Sequence, residues 1–338
     1  MTIKEDQNIQ SRKREHLECC LKPRARTGKT ELDSISLPYD ALFEVSDDML
    51  NTSSYLGQTR LKFPLMFSAM TGGIPSVTEF NTTLRKLASV HGLGLCLGSI
   101  KACLKDSALI PTYGTGSVDG LLANIGASEL MSQAFSVDEI AGCCEKLGCS
   151  GLMIHLNGLQ EFVQEEGNPH FSVSLDVLER FICEFPMPVW MKEVGSGLGG
   201  KCLKRLASLP IAGLELACRG GTSWVQVEAM RRQNPISPEN IQALDSLGYS
   251  LKESIPVARQ LMDKRTVIAS GGISNALDLI KCLALGADLC AVAQPFYKVY
   301  HDHGVAALEG MVEEWISVGR LIWRSTGARD LIELRNIA

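Results

Sequence analysis

Eight short apolar runs recur along the chain, and their spacing constrains the fold more than any other feature. Successive midpoints lie about 23–36 residues apart, except for one gap of about 54, and one strand with its crossover helix needs about 30 residues. Each run is continuous rather than alternating, which is typical of strands buried on both faces. The runs cover residues 64–70, 92–98, 121–125, 151–156, 188–193, 211–217, 266–270 and 288–293.

Helical periodicity fills the intervals between the runs. Apolar residues recur at helical spacing over 78–91, 137–147 and 276–285, and a glycine follows each segment, as at helix C-termini. Eight βα units predict a TIM (β/α)8 barrel over 61–338 after an N-terminal extension over 1–60. A doubly wound open sheet is the alternative. The long gap predicts an insertion between strands 6 and 7, with polar residues 231–239 as a mobile loop at the functional face.

Charge and cysteine usage exclude several classes of protein. The formal net charge is −5, which argues against a nucleic-acid or anionic-membrane binder. No apolar run approaches the roughly 20 residues of a membrane span, and the N-terminus carries no secretory signal. The 12 cysteines show no metal-binding or disulfide spacing, so we expect a reduced, cytoplasmic protein. Residues 1–30 are nevertheless strongly basic, unlike the acidic remainder.

Glycine pairs follow the sixth and seventh runs, where a barrel enzyme binds its ligand. Gly271 and Gly272 follow the seventh run, and Gly220 and Gly221 precede Thr222 after the sixth. Glycine lets backbone N–H groups close on an anion, and a following helix N-terminus adds partial positive charge. The alternative is a pair of tight turns that only require positive φ. Two such pairs favour a phosphate site.

Lys192 follows the apolar residues Val189, Trp190 and Met191 in the fifth run. An interior lysine is costly unless it meets an anion or loses its proton. It is therefore either a Schiff-base nucleophile or a fixed cation that faces an anionic cofactor. An ion pair with Glu193 or Glu161 is the structural alternative.

Polar residues also cluster after the fourth run and in the basic N-terminal segment. Glu161 is a candidate Mg²⁺ ligand because Mg²⁺ takes carboxylates and bridges phosphates. His155 is either a ligand-facing residue or a core histidine. The cations at 12–14 suit a diphosphate, since arginine makes two-point contacts, although a solvated tail is the simpler interpretation.

Several motifs in this order resemble the type 2 isopentenyl-diphosphate isomerases, which are FMN-dependent barrels. The similarity spans about residues 12–320. Its most specific parts are HLNGLQE and the SRKREH motif in the basic N-terminal segment over residues 1–30, which we call the leader. The motifs are SRKREH, SAMTGG, HLNGLQEFVQEEG, WMKEVGSG, RGGTSW and ASGGISNALDLIKCLALGAD.

The resemblance implies a role for each strand-end residue. Gln160, Lys192 and His155 would be catalytic, and Glu161 would hold Mg²⁺. The residues implied to bind FMN are Ala69, Met70, Thr71, Ser99, Asn124, Lys192, Thr222, Gly271, Gly272, Ala293 and Gln294. The residues implied to bind the diphosphate substrate are Arg12, Lys13, Ser99, Lys101, His155, Asn157 and Gln160.

Two departures from the family pattern concern phosphate contacts. The family usually reads G-S-Q-R after the second strand, where this chain has Ile100 and Lys101, and lysine lacks the guanidinium fork. The family commonly has arginine after the seventh-strand glycines, where this chain has Ser274. We expect these changes to alter affinity rather than the type of reaction.

The implied reaction is the 1,3-proton shift that interconverts isopentenyl and dimethylallyl diphosphate. Reduced FMN suits it as proton carrier and charge stabiliser, with NADPH as reductant, and we expect the leader to close as a lid over the substrate. The alternatives are an FMN-dependent oxidoreductase of the 2-hydroxy-acid oxidase or IMP dehydrogenase type, with Cys218 as a weak candidate nucleophile, and a catalytically silent ligand sensor. The resemblance also implies a homo-oligomer, a tetramer or larger.

Overall fold

A closed barrel of eight parallel strands forms the centre of the molecule in a computed structural model that describes residues 3–168 and 170–337, with side chains from residue 10. A short antiparallel hairpin precedes it, with strands β1 (Ser54–Leu56) and β2 (Thr59–Leu61). The barrel confirms the TIM prediction and excludes the open sheet. Its strands are β3 (Leu65–Phe67), β4 (Gly94–Cys96), β5 (Leu121–Gly126), β6 (Gly151–His155), β7 (Val189–Lys192), β8 (Gly213–Glu215), β9 (Thr266–Ser270) and β10 (Leu289–Val292).

The barrel interior is packed with apolar side chains at its N-terminal end. Met66, Met153 and Trp190 meet there, and the hairpin adds Leu56 and Leu61 to the same cluster. Side chains fill the interiors of such barrels, so the fold is not a pore. Because the hairpin closes this end, a ligand site belongs at the opposite, C-terminal end of the strands.

Helices surround the barrel and bury a second apolar layer against the outer faces of the strands. Two of them, over 78–91 and 137–147, have the predicted bounds and end at Gly92 and Gly148, both with left-handed backbone. The helices are α1 (Ile3–Cys20), α2 (Thr78–His91), α3 (Lys101–Lys105), α4 (Ala127–Met131), α5 (Val137–Leu147), α6 (Gly158–Val163), α7 (Leu175–Glu184), α8 (Gly200–Ala207), α9 (Trp224–Arg231), α10 (Pro238–Asp245), α11 (Leu251–Met262), α12 (Ala276–Ala284), α13 (Gln294–His303), α14 (Val305–Arg324) and α15 (Leu331–Arg335).

The segment between strands 6 and 7 contains helices α9, α10 and α11. Helix α11 packs against α8 and β9 as the crossover helix, so α9 and α10 form the predicted insertion. The predicted loop over 231–239 is shorter than expected, because Arg231 ends α9 and α10 begins at Pro238. Its backbone and side chains are tied to the segment after β6: Arg232 donates to the Val163 carbonyl at 2.6 Å, and the Gln233 N–H donates to Glu165 at 3.0 Å.

The basic leader forms helix α1, which packs beside α9 at the C-terminal end of the barrel. A short 3₁₀ helix, Pro23–Ala25, then leads the chain back across the glycine loop after β8, where Arg26 and Thr222 form an isolated β-bridge. Within the described residues, no helix combines the length and apolar character needed to cross a bilayer.

Candidate active site

A cavity of about 490 Å³ lies between the C-terminal ends of the strands and helix α1. This volume falls in the range of ordinary small-molecule sites. Every residue that the resemblance implies for catalysis or for binding FMN, substrate or Mg²⁺ lines this cavity, from Arg12 on the leader to Gln294 after the last strand. The expected convergence of strand-end residues is therefore present, whereas the individual roles stay predictions.

Residues at the ends of four neighbouring strands lie side by side at the base of the cavity, and three of them, His155, Lys192 and Glu215, line it. The parallel register places Gly126 beside His155, His155 beside Lys192, and Lys192 beside Glu215. Each lies at the last position of its strand. The sheet itself therefore fixes the lateral order of an imidazole, an ammonium group and a carboxylate.

Lys192 forms a buried ion pair with Glu215. Its Nζ lies 3.5 Å from Glu215 Oε1 and donates to the Glu193 carbonyl at 3.0 Å. The carboxylate also accepts from the hydroxyls of Ser68 at 2.6 Å and Ser270 at 2.9 Å. The expected alternatives, Glu193 and Glu161, are wrong as partners, because the sheet register sets Glu215 directly beside Lys192. A lysine held in this way is suited to act as a fixed cation.

The Glu193 carboxylate instead organises the loop after β7. It accepts backbone N–H groups from Gly195 and Ser196 at 2.5 Å and from Gly197 at 3.0 Å. Burial nevertheless outweighs these donors and raises the pKa of Glu193. Its function in this structure is to hold a cavity-lining loop.

His155 is oriented by Asn124 from the neighbouring strand. The His155 Nδ1 to Asn124 Oδ1 distance is 2.7 Å, and because an amide oxygen only accepts, the proton belongs on Nδ1. Burial lowers the pKa of His155 to about 4. The neutral ring therefore offers Nε2 to the cavity as an acceptor.

The glycine loops after β8 and β9 form a cradle in which side chains would not fit. Gly220, Gly271 and Gly272 have positive φ values of 109°, 100° and 79°. A Cβ on Gly271 would collide with the Cys218 carbonyl, and one on Gly221 would lie 2.5 Å from the Gly272 nitrogen. Backbone amides that are exposed in this way fit a phosphate group.

Two features around the cradle modify the expected phosphate contacts. In the first turn of α12 the Asn275 side chain accepts from the Asp278 N–H, and the Asp278 carboxylate accepts from the Ser274 N–H just before the helix. The expected contribution of this helix N-terminus to phosphate binding stays a prediction. Helix α13 begins at Gln294 without a side-chain cap. Arg26 from the leader lines the cavity and donates to the carbonyls of Gly220 at 3.2 Å and Gly272 at 3.3 Å. It brings a cation to the loop in which Ser274 replaces arginine.

Lys13 enters the opposite side of the cavity from helix α1. Its ammonium group donates to the carbonyls of Gly72 at 2.6 Å and Ser99 at 3.2 Å and lies 5.8 Å from the centre of the Tyr113 ring. Burial lowers the pKa of Lys13 to about 8. The leader is therefore an ordered part of the cavity wall and not a solvated tail.

A buried carboxylate that the sequence analysis missed, Glu228 on α9, lies behind the cavity. It accepts from Gln160 at 2.7 Å, contacts His16 at 2.9 Å and pairs with Arg231 at 2.5 Å. Burial opposes its ionisation, but His16, Gln160 and Arg231 together lower the pKa of Glu228. This carboxylate orients one cavity residue from the barrel and one from the leader.

Asn157 and Glu161 present oxygen atoms at the leader side of the cavity. Glu161 accepts from Asn157 Nδ2 at 2.9 Å and from the Asn168 N–H at 3.1 Å. The Asn157 Oδ1 atom is buried without a hydrogen-bond partner among the described residues. A carboxylate beside an unsatisfied carbonyl oxygen suits a hard cation. The described side chains contain no cluster of three or more metal-binding residues, so such an ion would take further ligands from the substrate and water.

Cys218, the weak candidate for a loop nucleophile, does not fit that role. It is fully buried, and burial raises the pKa of its thiol to about 12. A thiolate is the reactive form of cysteine, so this environment disfavours nucleophilic catalysis.

Two of the residues that the sequence analysis missed, Glu215 and His16, stand in sequence patterns that could have identified them. Glu215 is the one charge in the apolar sixth run, much as Lys192 is a charge directly after apolar residues of the fifth run. His16 lies four and three positions after Arg12 and Lys13, a spacing that places all three on one face of a helix. Glu228 had no comparable signal, because a glutamate in a helix usually faces solvent.

Comparisons with known proteins agree with this architecture. A family model described as FMN-dependent dehydrogenase matches residues 129–333. A curated isopentenyl-diphosphate delta-isomerase of Deinococcus radiodurans is 34% identical over 334 residues, which cover 97% of both chains. A protein of the same name from Pelodictyon phaeoclathratiforme is 32% identical, and the aligned part covers 96% of this chain and 95% of that protein. Among solved structures, a mandelate oxidase mutant matches with a TM-score of 0.68 at 14% identity, covering 98% of this chain and 97% of its own.

The barrel with its glycine cradle thus defines a member of the FMN-dependent dehydrogenase class. Within that class, the full-length similarity is more specific than the fold. The chain belongs to the isopentenyl-diphosphate delta-isomerase family. This confirms the resemblance drawn from the sequence motifs.

Proposed function

We propose that this protein interconverts isopentenyl diphosphate and dimethylallyl diphosphate, using reduced FMN, with Mg²⁺ on the diphosphate and NADPH as the reductant that prepares the flavin. One observation carries the proposal: a glycine cradle for one phosphate group and a cationic leader for another face the same cavity. The names and full-length similarity of the relatives support the same reaction.

The leader side of the cavity would bind the diphosphate. Arg12, Lys13 and Lys101 line it and supply positive charge, and the fit of Asn157 and Glu161 to a hard cation provides for Mg²⁺. A metal ion there would be shared with the substrate oxygens, as Mg²⁺ commonly is in phosphate sites. The cationic side chains and the metal ion would together anchor the diphosphate end of the substrate away from the reacting carbons.

The cradle side would bind FMN, with its phosphate against Gly271, Gly272 and Arg26. The bound reduced flavin supplies an electron-rich ring system that carries a proton and stabilises nearby positive charge. Lys192, fixed by Glu215, would present its ammonium group to the electron-rich edge of the ring. The burial of this pair keeps the cation in place without further reorganisation.

Gln160 and His16 would contact the olefin between these two ends. One carbon gains a proton and another loses one, so the reaction has no net redox change. The Gln160 amide nitrogen donates to Glu228, and the carbonyl oxygen of the same side chain, which has no donor among the described residues, would face developing positive charge. Helix α1 covers the cavity and excludes water that would quench a tertiary cation.

The decisive experiment is product identification after incubation with isopentenyl diphosphate, FMN, NADPH and Mg²⁺, with each component omitted in turn. We expect dimethylallyl diphosphate, dependence on FMN, and catalytic rather than stoichiometric NADPH use. Stoichiometric NADPH consumption with an oxidised or reduced product would instead identify an oxidoreductase. A colourless protein that gains no activity with FMN would identify a ligand sensor.

The metal assignment has its own test. Glu161→Gln keeps the size of the side chain and removes its charge, so it should flatten the dependence of turnover on Mg²⁺ concentration. Glu165, an exposed acid that accepts from Gln233 and Asn234, supplies the matched control Glu165→Gln. An unchanged Mg²⁺ response in Glu161→Gln would remove this residue from the metal site.

We also propose that the protein is cytoplasmic and assembles as a homo-oligomer.

A further inference from the structure

Glu129 is a carboxylate in the cavity wall that the proposed function does not use. It lies in the first turn of α4, directly after β5, and lines the cavity while remaining only 8% exposed. A side chain at Gly126 would collide with it, so the glycine at the end of β5 lets the carboxylate lie over the strand end. A buried negative charge on the side that is to receive a diphosphate needs an explanation.

The partner of Glu129 is Lys101. The Lys101 Nζ lies 2.6 Å from Glu129 Oε1, and Glu129 Oε2 accepts from the Ser128 hydroxyl at 3.1 Å. Burial opposes ionisation, but the charge and hydrogen bond of Lys101 outweigh it and lower the pKa of Glu129. The lysine side chain is 32% exposed, against 9% for the glutamate, so the ammonium group is the partner that faces the ligand.

This pairing changes the charge that a diphosphate meets. Lys13 already donates to two backbone carbonyls, and Lys101 is bound to a carboxylate of opposite charge. An entering diphosphate must therefore share the Lys101 ammonium group with Glu129 and tolerate the glutamate charge behind it. Both effects weaken binding, and the second grows with the charge of the ligand.

We propose that Glu129 is a specificity-determining residue that moderates the affinity of the leader-side subsite for diphosphate esters by offsetting the charge of Lys101. The inference rests on the proposed function, because it assumes that the diphosphate binds on the leader side. A moderated affinity has a use here: substrate and product carry the same diphosphate, so a subsite that bound this group very tightly would slow the release of product.

The test is a calorimetric titration of the full-length, FMN-loaded protein with inorganic pyrophosphate at low ionic strength. Glu129→Gln keeps an acceptor for Lys101 but removes the charge, and we expect pyrophosphate to bind on the order of tenfold more tightly. The affinity for orthophosphate, which carries less charge, should increase by a smaller factor in this variant. Added salt should reduce the increase in affinity for both ligands.

Matched variants separate charge from shape. Glu129→Asp retains the charge and should bind pyrophosphate within about threefold of the wild type. Lys101→Met leaves Glu129 unpaired and should weaken binding by tenfold or more, and the double variant with Glu129→Gln should recover most of that loss. If Glu129→Gln does not fold, Lys101→Arg serves instead, because its fork can contact Glu129 and phosphate together and should tighten binding.

Unchanged or weaker pyrophosphate binding in Glu129→Gln, with binding intact in the wild type, would overturn the inference and leave the proposed function standing. A wild-type protein that binds no pyrophosphate would instead contradict the diphosphate subsite itself. The two failures are thus distinguishable in one set of titrations.

Discussion

The Lys192–Glu215 pair allows the structural and chemical contributions of one lysine to be measured separately. Both side chains are buried, with exposures of 5% and 1%, and Glu215 Oε2 has no hydrogen-bond partner among the described residues. Replacing Lys192 by methionine removes the cation and keeps the apolar stem. The remaining carboxylate would then be held only by two serine hydroxyls.

The expected cost follows from the burial of the pair. Removing one partner of a buried ion pair destabilises a protein by about 3–5 kcal/mol, because the other charge stays buried and unpaired. Glu215→Gln should cost a similar amount through the stranded lysine. The double variant leaves neither charge, so its free energy of unfolding should return to within about 2 kcal/mol of the wild type.

Equilibrium urea unfolding of the FMN-free protein, followed by circular dichroism, measures these differences. FMN titration by fluorescence and the isomerase assay are then performed on the double variant. If Lys192 acts on the flavin, the double variant should be stable yet bind FMN more weakly and lose at least about 10²-fold in turnover.

Two outcomes would refute this reasoning. A cost below about 1 kcal/mol for Lys192→Met would show that the buried pair does not hold two opposite charges. A double variant with wild-type FMN affinity and turnover would show that Lys192 acts only by pairing with Glu215. The single variant alone cannot make this distinction, because loss of activity and loss of fold would coincide.

Three further predictions follow from the same geometry. Arg26→Ala should raise the Kd for FMN about tenfold by removing the cation at the cradle, as measured by flavin fluorescence quenching. Burial lowers the pKa of Lys13 to about 8, so pyrophosphate affinity should fall as the pH rises through this value and the ammonium group loses its proton. A pyrophosphate affinity that stays constant up to pH 9 would contradict this role of Lys13. Gly271→Ala should abolish FMN retention, because the added Cβ meets the Cys218 carbonyl, whereas Gly310→Ala, in an open position within α14, should leave it intact.

The barrel could be predicted because its determinants are local. Each barrel strand is part of a continuous apolar run, and each of the eight barrel strands lies within a predicted run or extends one residue beyond it. Helix α2 has the predicted bounds since its apolar spacing is regular and Gly92 ends it. The insertion was harder, because its short helices α9 and α10 carry mixed polar faces that resemble a loop.

The site was predictable where it depends on strand ends and not where it depends on packing between distant elements. Parallel strands bring their C-terminal residues together, so His155 and Lys192 could be placed in one cavity without a structure. The contacts of Glu228 and Arg26 depend on how α9 and the leader pack against the barrel. No local pattern encodes such contacts.

The carboxylates that line the cavity in the described part of the chain share a property that bears on the reaction. Glu129 and Glu215 each lie against a lysine ammonium group, Glu166 accepts from Arg231 at 3.1 Å, and Glu161 accepts from two N–H donors. Protonating an unactivated alkene requires an acid with a proton directed at carbon, and these carboxylates are engaged as acceptors. The arrangement suits these carboxylates to holding charge and orienting groups, and it agrees with the proposal that the bound flavin, rather than a carboxylate of this chain, carries the transferred proton.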